Sequence, residues 1–227
     1  MTDLHTHILP GIDDGAKTIE ESISLLQAEV SDSVTTVALT PHFNLSSAEQ
    51  PEFLEQRAKA FRILNKAVHK HKLPVNLILG AEVAFSTELL DYDLDSLCFE
   101  GTKTLLIELP LLQYHSFTHE IFYRLQLNGY TPLIAHAERY SYLIRDTDLL
   151  EKLVRSGTQV QINAGAMLRM GRTRRKLLKM ISADLIHVIA TDTHSVSMRP
   201  PRLASAVKVV EKKLGTETAK RLVNFEK

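Results

Sequence analysis

The sequence predicts an α/β protein built on a parallel sheet, arranged as a barrel of TIM type with one strand–helix unit missing. Three observations lead there. Seven apolar, strand-like runs alternate with helical patterns, the order expected of a parallel sheet. Those runs are apolar on both faces, as buried parallel strands are. Metal-capable side chains recur at the same end of one run after another, and a barrel of parallel strands collects its chemistry at the C-terminal strand ends. A doubly wound open sheet is the competing arrangement.

The elements follow in order. "DLHTHI" (3–8) reads as the first strand. Thr18 and Glu21 form a T-x-x-E capping box that opens a helix, with Ile19, Ile23, Leu26 and Val30 at helical spacing. "TTVALTPHF" (35–43) is the second strand, and a long helix is expected over 51–71. "NLILGAEVAF" (76–85) and "KTLLIELP" (103–110) are the third and fourth strands, followed by a helix near 114–127. "YTPLIAHAERY" (130–140) and a helix near 147–156 come next, then "TQVQINAGAM" (158–167) and a helix near 173–183. "IHVIATDTH" (186–194) is the seventh strand, with helices near 202–214 and 216–225 behind it. No linker, repeat or low-complexity tract interrupts the pattern, so residues 1–227 are expected to form a single domain.

Composition narrows the function classes. With 27 Lys+Arg against 27 Asp+Glu, the chain has no bulk charge with which to grip nucleic acid or an anionic membrane. No apolar run reaches membrane-spanning length, and the N-terminus lacks the basic region of a signal peptide. The one cysteine, Cys98, excludes an internal disulfide framework. The expectation is a cytoplasmic protein without nucleic-acid partners or direct membrane insertion, compatible with a monomer or an oligomer.

The strand ends carry the chemistry. His5 and His7 stand two apart on the first strand and so share a face. Asp13 and Asp14 follow in the next loop. His42 ends the second strand, Glu82 lies near the end of the third, Glu108 on the fourth and His136 on the fifth, with Glu138 and Arg139 just beyond. Asp192 and His194 end the seventh, again two apart. A lone strand-end histidine or glutamate is usually a capping or hydrogen-bonding group, but six of seven strands delivering such a group to one end argue for a metal site. Histidines and carboxylates without thiolates favour Mn, Fe or Zn in a catalytic setting over a closed structural zinc site. About nine candidate ligands exceed what one ion takes, so two or three metals are implied. Ions about 3.5–4 Å apart, bridged by a carboxylate such as Glu108, would clamp a substrate oxygen and lower the pKa of a water toward about 7, so that hydroxide could attack phosphorus or an amide carbon.

The ordered motifs "DLHTHILPGIDDG", "TPHF", "GAEV", "IELP", "AHAERY" and "ATDTH" with "RPPRL" resemble the polymerase-and-histidinol-phosphatase (PHP) superfamily, over nearly the whole chain. More narrowly they resemble the bacterial PHP-type tyrosine-protein phosphatases found with capsule and exopolysaccharide genes. The resemblance implies a distorted (β/α)7 barrel with a trinuclear metal site. Its ligands would be His5, His7, Asp14, His42, Glu82, Glu108, His136, Asp192 and His194, with Asp14 rather than Asp13 binding metal. Arg139 and Arg199 would bind phosphate, a task that suits their planar forks. Manganese is the first expectation for the metal, with Fe, Zn and Mg as alternatives. Asp192 or His194 would assist proton transfer. The implied substrate is phosphotyrosine in a protein, and the implied partner a bacterial tyrosine autokinase whose tyrosine-rich tail controls polysaccharide export. The chain departs from the family pattern in "NLSSAEQPE" (44–52), where relatives carry a Gly- and Tyr-bearing insertion, in Ala137 where Pro is common, and in a short final segment, "RLVNFEK".

Other reactive residues are read more plainly. Cys98 is followed six positions later by Thr104 rather than arginine, and has no basic neighbour before Lys103, which excludes a cysteine-dependent phosphatase. His69 and His71 fall on a helix, where residues two apart diverge. His115 and His119 are expected at the surface, and His187 at the far end of the last strand. Asn163 is read as a contact to substrate or to the loop backbone. The basic run "RMGRTRRK" (169–176) is either a solvated helix start or an attractor of an acidic or phosphorylated tail. The rival functions are a histidinol-phosphate type phosphatase, whose relatives are generally longer, and an amidohydrolase, which commonly bridges its metals through a carboxylated lysine where this chain offers Glu108. A regulatory module with a vestigial site would lack ligands, and none is missing.

Overall fold

The computed structural model describes residues 1–45 and 49–225. The expected departure at 44–52 therefore lies partly outside the described residues, as do the last two positions of the final segment. The chain opens with β1 (Thr2–Thr6) and α1 (Ile19–Ser31). Thr18 caps α1 by accepting from the Glu21 N–H, but the Glu21 carboxylate reaches the Lys17 N–H at 2.7 Å, one residue before the expected partner.

Two of the expected long strands are each broken in two. Residues 35–43 form β2 (Thr36–Leu39) and β3 (His42–Phe43), and residues 76–85 form β4 (Asn76–Leu79) and β5 (Glu82–Ala84), with α2 (Gln50–His71) between them. The breaks face each other for a physical reason. Pro41 has no N–H to continue a ladder. Gly80 passes so close to Phe99 that a Cβ there would lie 2.9 Å from the ring. Beyond the break the pairing resumes in register, with His42 opposite Glu82. The kink thus turns two site residues inward together.

The remaining elements are β6 (Thr104–Glu108), α3 (Phe117–Leu127), β7 (Thr131–Ile134), α4 (Ser141–Arg145), α5 (Thr147–Arg155) and β8 (Gln159–Asn163). They continue with α6 (Ala164–Leu168), α7 (Arg172–Ser182), β9 (Val188–Ala190), α8 (Leu203–Leu214) and α9 (Thr216–Arg221). All ladders between strands are parallel. They run in the orders β1–β2–β4 and β3–β5–β6–β7–β8–β9. The sheet curls until its ends meet: Thr6 bridges Thr193 in parallel, the His7 N–H donates to Thr193 O at 2.9 Å, and the Asp192 N–H donates to His5 O at 2.8 Å. The two short helices α4 and α6 escape the periodic pattern because each is barely more than one turn.

Burial follows this geometry. One large apolar layer lies between helices and sheet. A second, smaller cluster gathers Leu4, Ala38, Ile78, Leu106, Leu133 and Val188 from successive strands around Phe99 on the concave side of the sheet. The Phe225 ring packs edge-on against Phe99 at 5.5 Å. Burying each such large side chain contributes about 1.5–3 kcal/mol. This apolar filling closes one end of the curl and leaves the C-terminal strand ends as its polar face.

Candidate metal centre

The site begins with an irregularity in β1. Its register against β2 shifts between Asp3 and Thr6, and a bulge of this kind re-aims side chains. Asp3 points to buried Glu29 and Thr191, while His5 and His7 bring their Nε2 atoms within 3.2 Å of each other. The following loop folds tightly back on the strand, and Gly15 lies directly against the His7 backbone. This divides the labour of the paired aspartates. Asp13 accepts from His7 Nδ1 at 2.7 Å, from the Gly15 N–H at 3.0 Å and from the His42 N–H at 3.1 Å. It is the holder of the His7 ring, a partner of the kind that fixes a ligand histidine's tautomer and orientation. Asp14 instead faces the open site, with Oδ1 at 3.4 Å from His42 Nε2 and 3.3 Å from His194 Nε2.

Glu82 is the centre of the cluster. Its Oε2 lies 3.2 Å from His5 Nε2, 3.3 Å from His7 Nε2 and 3.0 Å from His42 Nδ1, and its Oε1 lies 2.8 Å from His136 Nε2. Glu108, the carboxylate singled out from the sequence as an example of a bridge, touches only the edge of this group, with Oε1 at 3.5 Å from His136 Nε2. The kink between β4 and β5 explains the difference, because it carries Glu82 inward and leaves Glu108 at the rim. Asp192 closes the other side, its Oδ1 at 3.7 Å from His5 Nε2 and 3.5 Å from His7 Nε2. His136 (φ 31°) and Asp192 (φ 54°) both have left-handed backbones, a conformation costing on the order of 1 kcal/mol that is often found at functional sites.

The one strand without a candidate ligand supplies the scaffolding. Gln161 Oε1 accepts from the His136 N–H and lies 3.2 Å from His5 Nδ1. Its amide donates to Asn163 Oδ1 at 2.8 Å, and the Asn163 amide donates to Asp192 Oδ2 at 2.8 Å. A single strand thus orients three candidate ligands. Sequence reading missed Gln161 and the holding role of Asp13. The available signal was the i, i+2 pair Gln161 and Asn163 at the end of the sixth strand.

The donor set fits divalent cations. Three groups of side chains each converge within bonding reach of one point: His7, Asp14, His42 and His194; His5, His7 and Asp192; and His42, Glu82 and Glu108. They share His7 and His42, so the points are neighbours. Buried Glu82 Oε2 faces three imidazoles yet accepts no well-formed hydrogen bond, an orphaned anion that a cation would satisfy. The electrostatics agree. Burial would raise the Glu82 carboxyl, but His5 and the surrounding imidazoles hold it well below the usual range. Burial would lower His7, but the hydrogen bond to Asp13 and the nearby Glu82 carboxylate push it up to about 10. Burial and repulsion from His7 bring His194 down to about 4.

These shifts have a measurable consequence. A metal-free His7 is raised above its unfolded value, so its contribution to stability is full below about pH 6.5 and fades toward pH 10. At pH 7 it holds a proton that a metal must displace. Metal uptake is expected to release about one proton or more per chain and to strengthen from pH 6 to pH 9. Calorimetric titration in two buffers of different ionisation enthalpy reads this directly, and identical heats in both would refute it.

Arg199 stands beside His194, its Nη1 at 3.1 Å from each ring nitrogen. It and Arg139 line a pocket of about 450 Å³ that opens next to Asp192, shared with Glu138, Asn163, Met198 and the start of α6. Burial raises the Glu138 carboxyl, which accepts from the Asn163 N–H. The other histidines stay away from the centre. His69 and His71 end α2, His119 is exposed on α3, and His115 precedes that helix and stacks on Phe117 at 5.0 Å. His187 Nδ1 accepts from the Val160 N–H at the opposite end of the sheet. Cys98 is buried, with burial and Asp95 pushing its thiol up to about 12.

The chain as a whole is similar to known proteins. The chain is 38% identical to CapC of Staphylococcus aureus over 205 residues, 88% of this chain and 79% of that one. It is 34% identical to the tyrosine-protein phosphatase YwqE of Bacillus subtilis over 223 residues, 96% and 86% of the two chains. It superposes with a TM-score of 0.89 and 32% identity on a crystal structure from a study of YwqE and of CpsB from Streptococcus pneumoniae, described as unique metal-dependent tyrosine phosphatases, covering 98% of this chain and 91% of the other. The model of the capsular polysaccharide synthesis family CpsB/CapC matches residues 1–226, and the chain belongs to that family.

Proposed function

We propose that this protein is a metal-dependent protein-tyrosine phosphatase acting in capsular or exopolysaccharide synthesis. The observation that carries the reading is the junction at Asp192, where the histidine–carboxylate cluster meets the arginine-lined pocket. The ligands are His5, His7, Asp14, His42, Glu82, Glu108, His136, Asp192 and His194, holding two or three divalent ions, manganese first among them. Once bound, the ions supply Lewis acidity toward the phosphoryl oxygens and lower the pKa of the attacking water.

The chain's own residues do the rest. Arg139 and Arg199 bind the phosphate oxygens and hold phosphorus against the cluster. Met198, Pro200 and Ala164 give the phenyl ring an apolar wall. Water forms the new O–P bond as the P–O bond to tyrosine breaks. Asp192 and His194, between the cluster and the pocket, handle the proton that passes from the water to the products. Cys98, buried and held as a thiol, has no part in this.

The reading extends to the whole chain. The meeting of β1 with the end of β9 supports a distorted (β/α)7 barrel forming a single domain over 1–227. No described helix is long and apolar enough to cross a membrane. Site of action is inferred to be the cytoplasm, and the substrate the phosphorylated tail of a tyrosine autokinase.

The test is phosphate release from a phosphotyrosine peptide and from histidinol phosphate, with Mn²⁺ and then with chelator. Peptide hydrolysis that requires metal, and that falls by about 10²–10³-fold in Arg139→Ala, is the expected result. Turnover of histidinol phosphate alone would reassign the substrate class, and no release from either would sink the phosphatase reading.

A further inference from the structure

The pocket beside Asp192 contains more positive charge than one phosphate needs. A phosphotyrosine carries about −1.5 to −2 at pH 7, which Arg139 and Arg199 match between them. Arg169 and Arg202 line the same pocket. Its two carboxylates do not neutralise them: Asp192 is held by the Asn163 amide and Glu138 by the Asn163 N–H. Neither Arg169 nor Arg202 forms an ion pair among the described residues, and both are exposed.

Their placement is built rather than incidental. Arg169 caps the C-terminal end of α6, and that turn is pinned by Arg174, whose guanidinium donates to Met167 O and Leu168 O at 2.7 Å each. So two arginines of one basic run divide their tasks, Arg174 fixing the backbone and Arg169 left facing the pocket. Arg202 precedes α8 and is fixed from beneath by buried Pro201 and Leu203.

We infer that Arg169 and Arg202 are specificity-determining residues that bind a second anionic group on the substrate, close in sequence to the phosphotyrosine being hydrolysed. The group is a carboxylate or a second phosphate, since a guanidinium fork takes either. The inference rests on the phosphotyrosine reading above and adds which phosphotyrosines are preferred: those in acidic or multiply phosphorylated segments.

The experiment uses metal-loaded protein and three phosphotyrosine peptides of equal length, with neutral neighbours, with glutamates at the neighbouring positions, and with a second phosphotyrosine. The readout is kcat/KM for each anionic peptide divided by that for the neutral one. Dissociation constants for the same peptides carrying a non-hydrolysable phosphonate give a second ratio that does not depend on turnover. Wild type is expected to favour anionic neighbours by about tenfold, in line with one charge-assisted contact. Arg169→Gln together with Arg202→Gln brings both ratios toward one, whereas Arg172→Gln together with Arg175→Gln, which removes the same two charges from α7 outside the pocket, leaves them in place. Whether the glutamate or the doubly phosphorylated peptide has the higher ratio identifies the source of the anion. Wild-type ratios near one, or an equal fall in the Arg172→Gln, Arg175→Gln control, would overturn the inference while leaving the phosphatase reading intact. Failure to hydrolyse any of the three peptides would overturn both.

Discussion

Replacing Glu82 by glutamine should abolish both metal binding and turnover while leaving the fold in place. The carboxylate touches His5, His7, His42 and His136, and no other carboxylate among the described residues reaches as many of the candidate ligands. The amide is isosteric but neutral, and it aims N–H groups where cations would sit. Loss of a term worth several kcal/mol lowers kcat/KM by about 10³-fold or more. Circular dichroism should be unchanged, because the isosteric amide keeps an oxygen opposite His136 Nε2 and replaces only Oε2, which accepts no well-formed hydrogen bond. Glu108→Gln, at the rim of the cluster, should cost less. Elemental analysis of both variants decides the matter: full metal content and activity in Glu82→Gln would move the bridging role back to Glu108.

Gly15→Ala should damage the site from behind. An added Cβ would fall 2.0 Å from His7 O and 2.5 Å from His7 Cβ. These are backbone or near-backbone atoms and cannot swing aside. The loop must lift, and with it Asp13, which accepts from the Gly15 N–H and holds the His7 ring. Overpacking of this kind costs about 1–3 kcal/mol, or about 2–12 °C in Tm for a chain of this size. Displacing the holder of a ligand histidine weakens metal affinity by a further 10–100-fold, roughly. Thermal melts with and without Mn²⁺ read both effects. A variant with the wild-type midpoint and the wild-type metal-induced shift would show that the close approach is not required.

Much of this was legible in the sequence because it was local or periodic. The T-x-x-E box places the start of α1 at Ile19, and the long helix expected over 51–71 is observed as Gln50–His71. His5 on β1 and His7 just past its end converge as spacing by two on a strand predicts, whereas Asp192 and His194 lie beyond the end of β9, where the left-handed backbone of Asp192 rather than strand alternation turns them to the cluster. The family motifs extended that reading over the whole chain.

What the sequence did not disclose depends on contacts between residues far apart. The break after Leu39 has Pro41 as a local cause, but the matching break after Leu79 falls where Phe99 crowds Gly80, and only the packed sheet brings Phe99 there. Those breaks make Glu82 rather than Glu108 the central carboxylate. Which of two adjacent aspartates faces the histidine cluster is set by how the loop folds onto His7, since both have the same chemistry. Gln161 acts through His136 on one side and Asn163 on the other, and a neutral amide in an apolar strand gives no sign of that. By itself, then, the sequence determined the alternation of strands and helices, the ligand types and the strand ends that carry them. The tertiary structure alone decided which carboxylate lies at the centre of the cluster, which groups orient the histidines, and that Arg169 and Arg202 share one pocket with Arg139 and Arg199, because each of these is a matter of distance in the folded chain rather than of spacing along it.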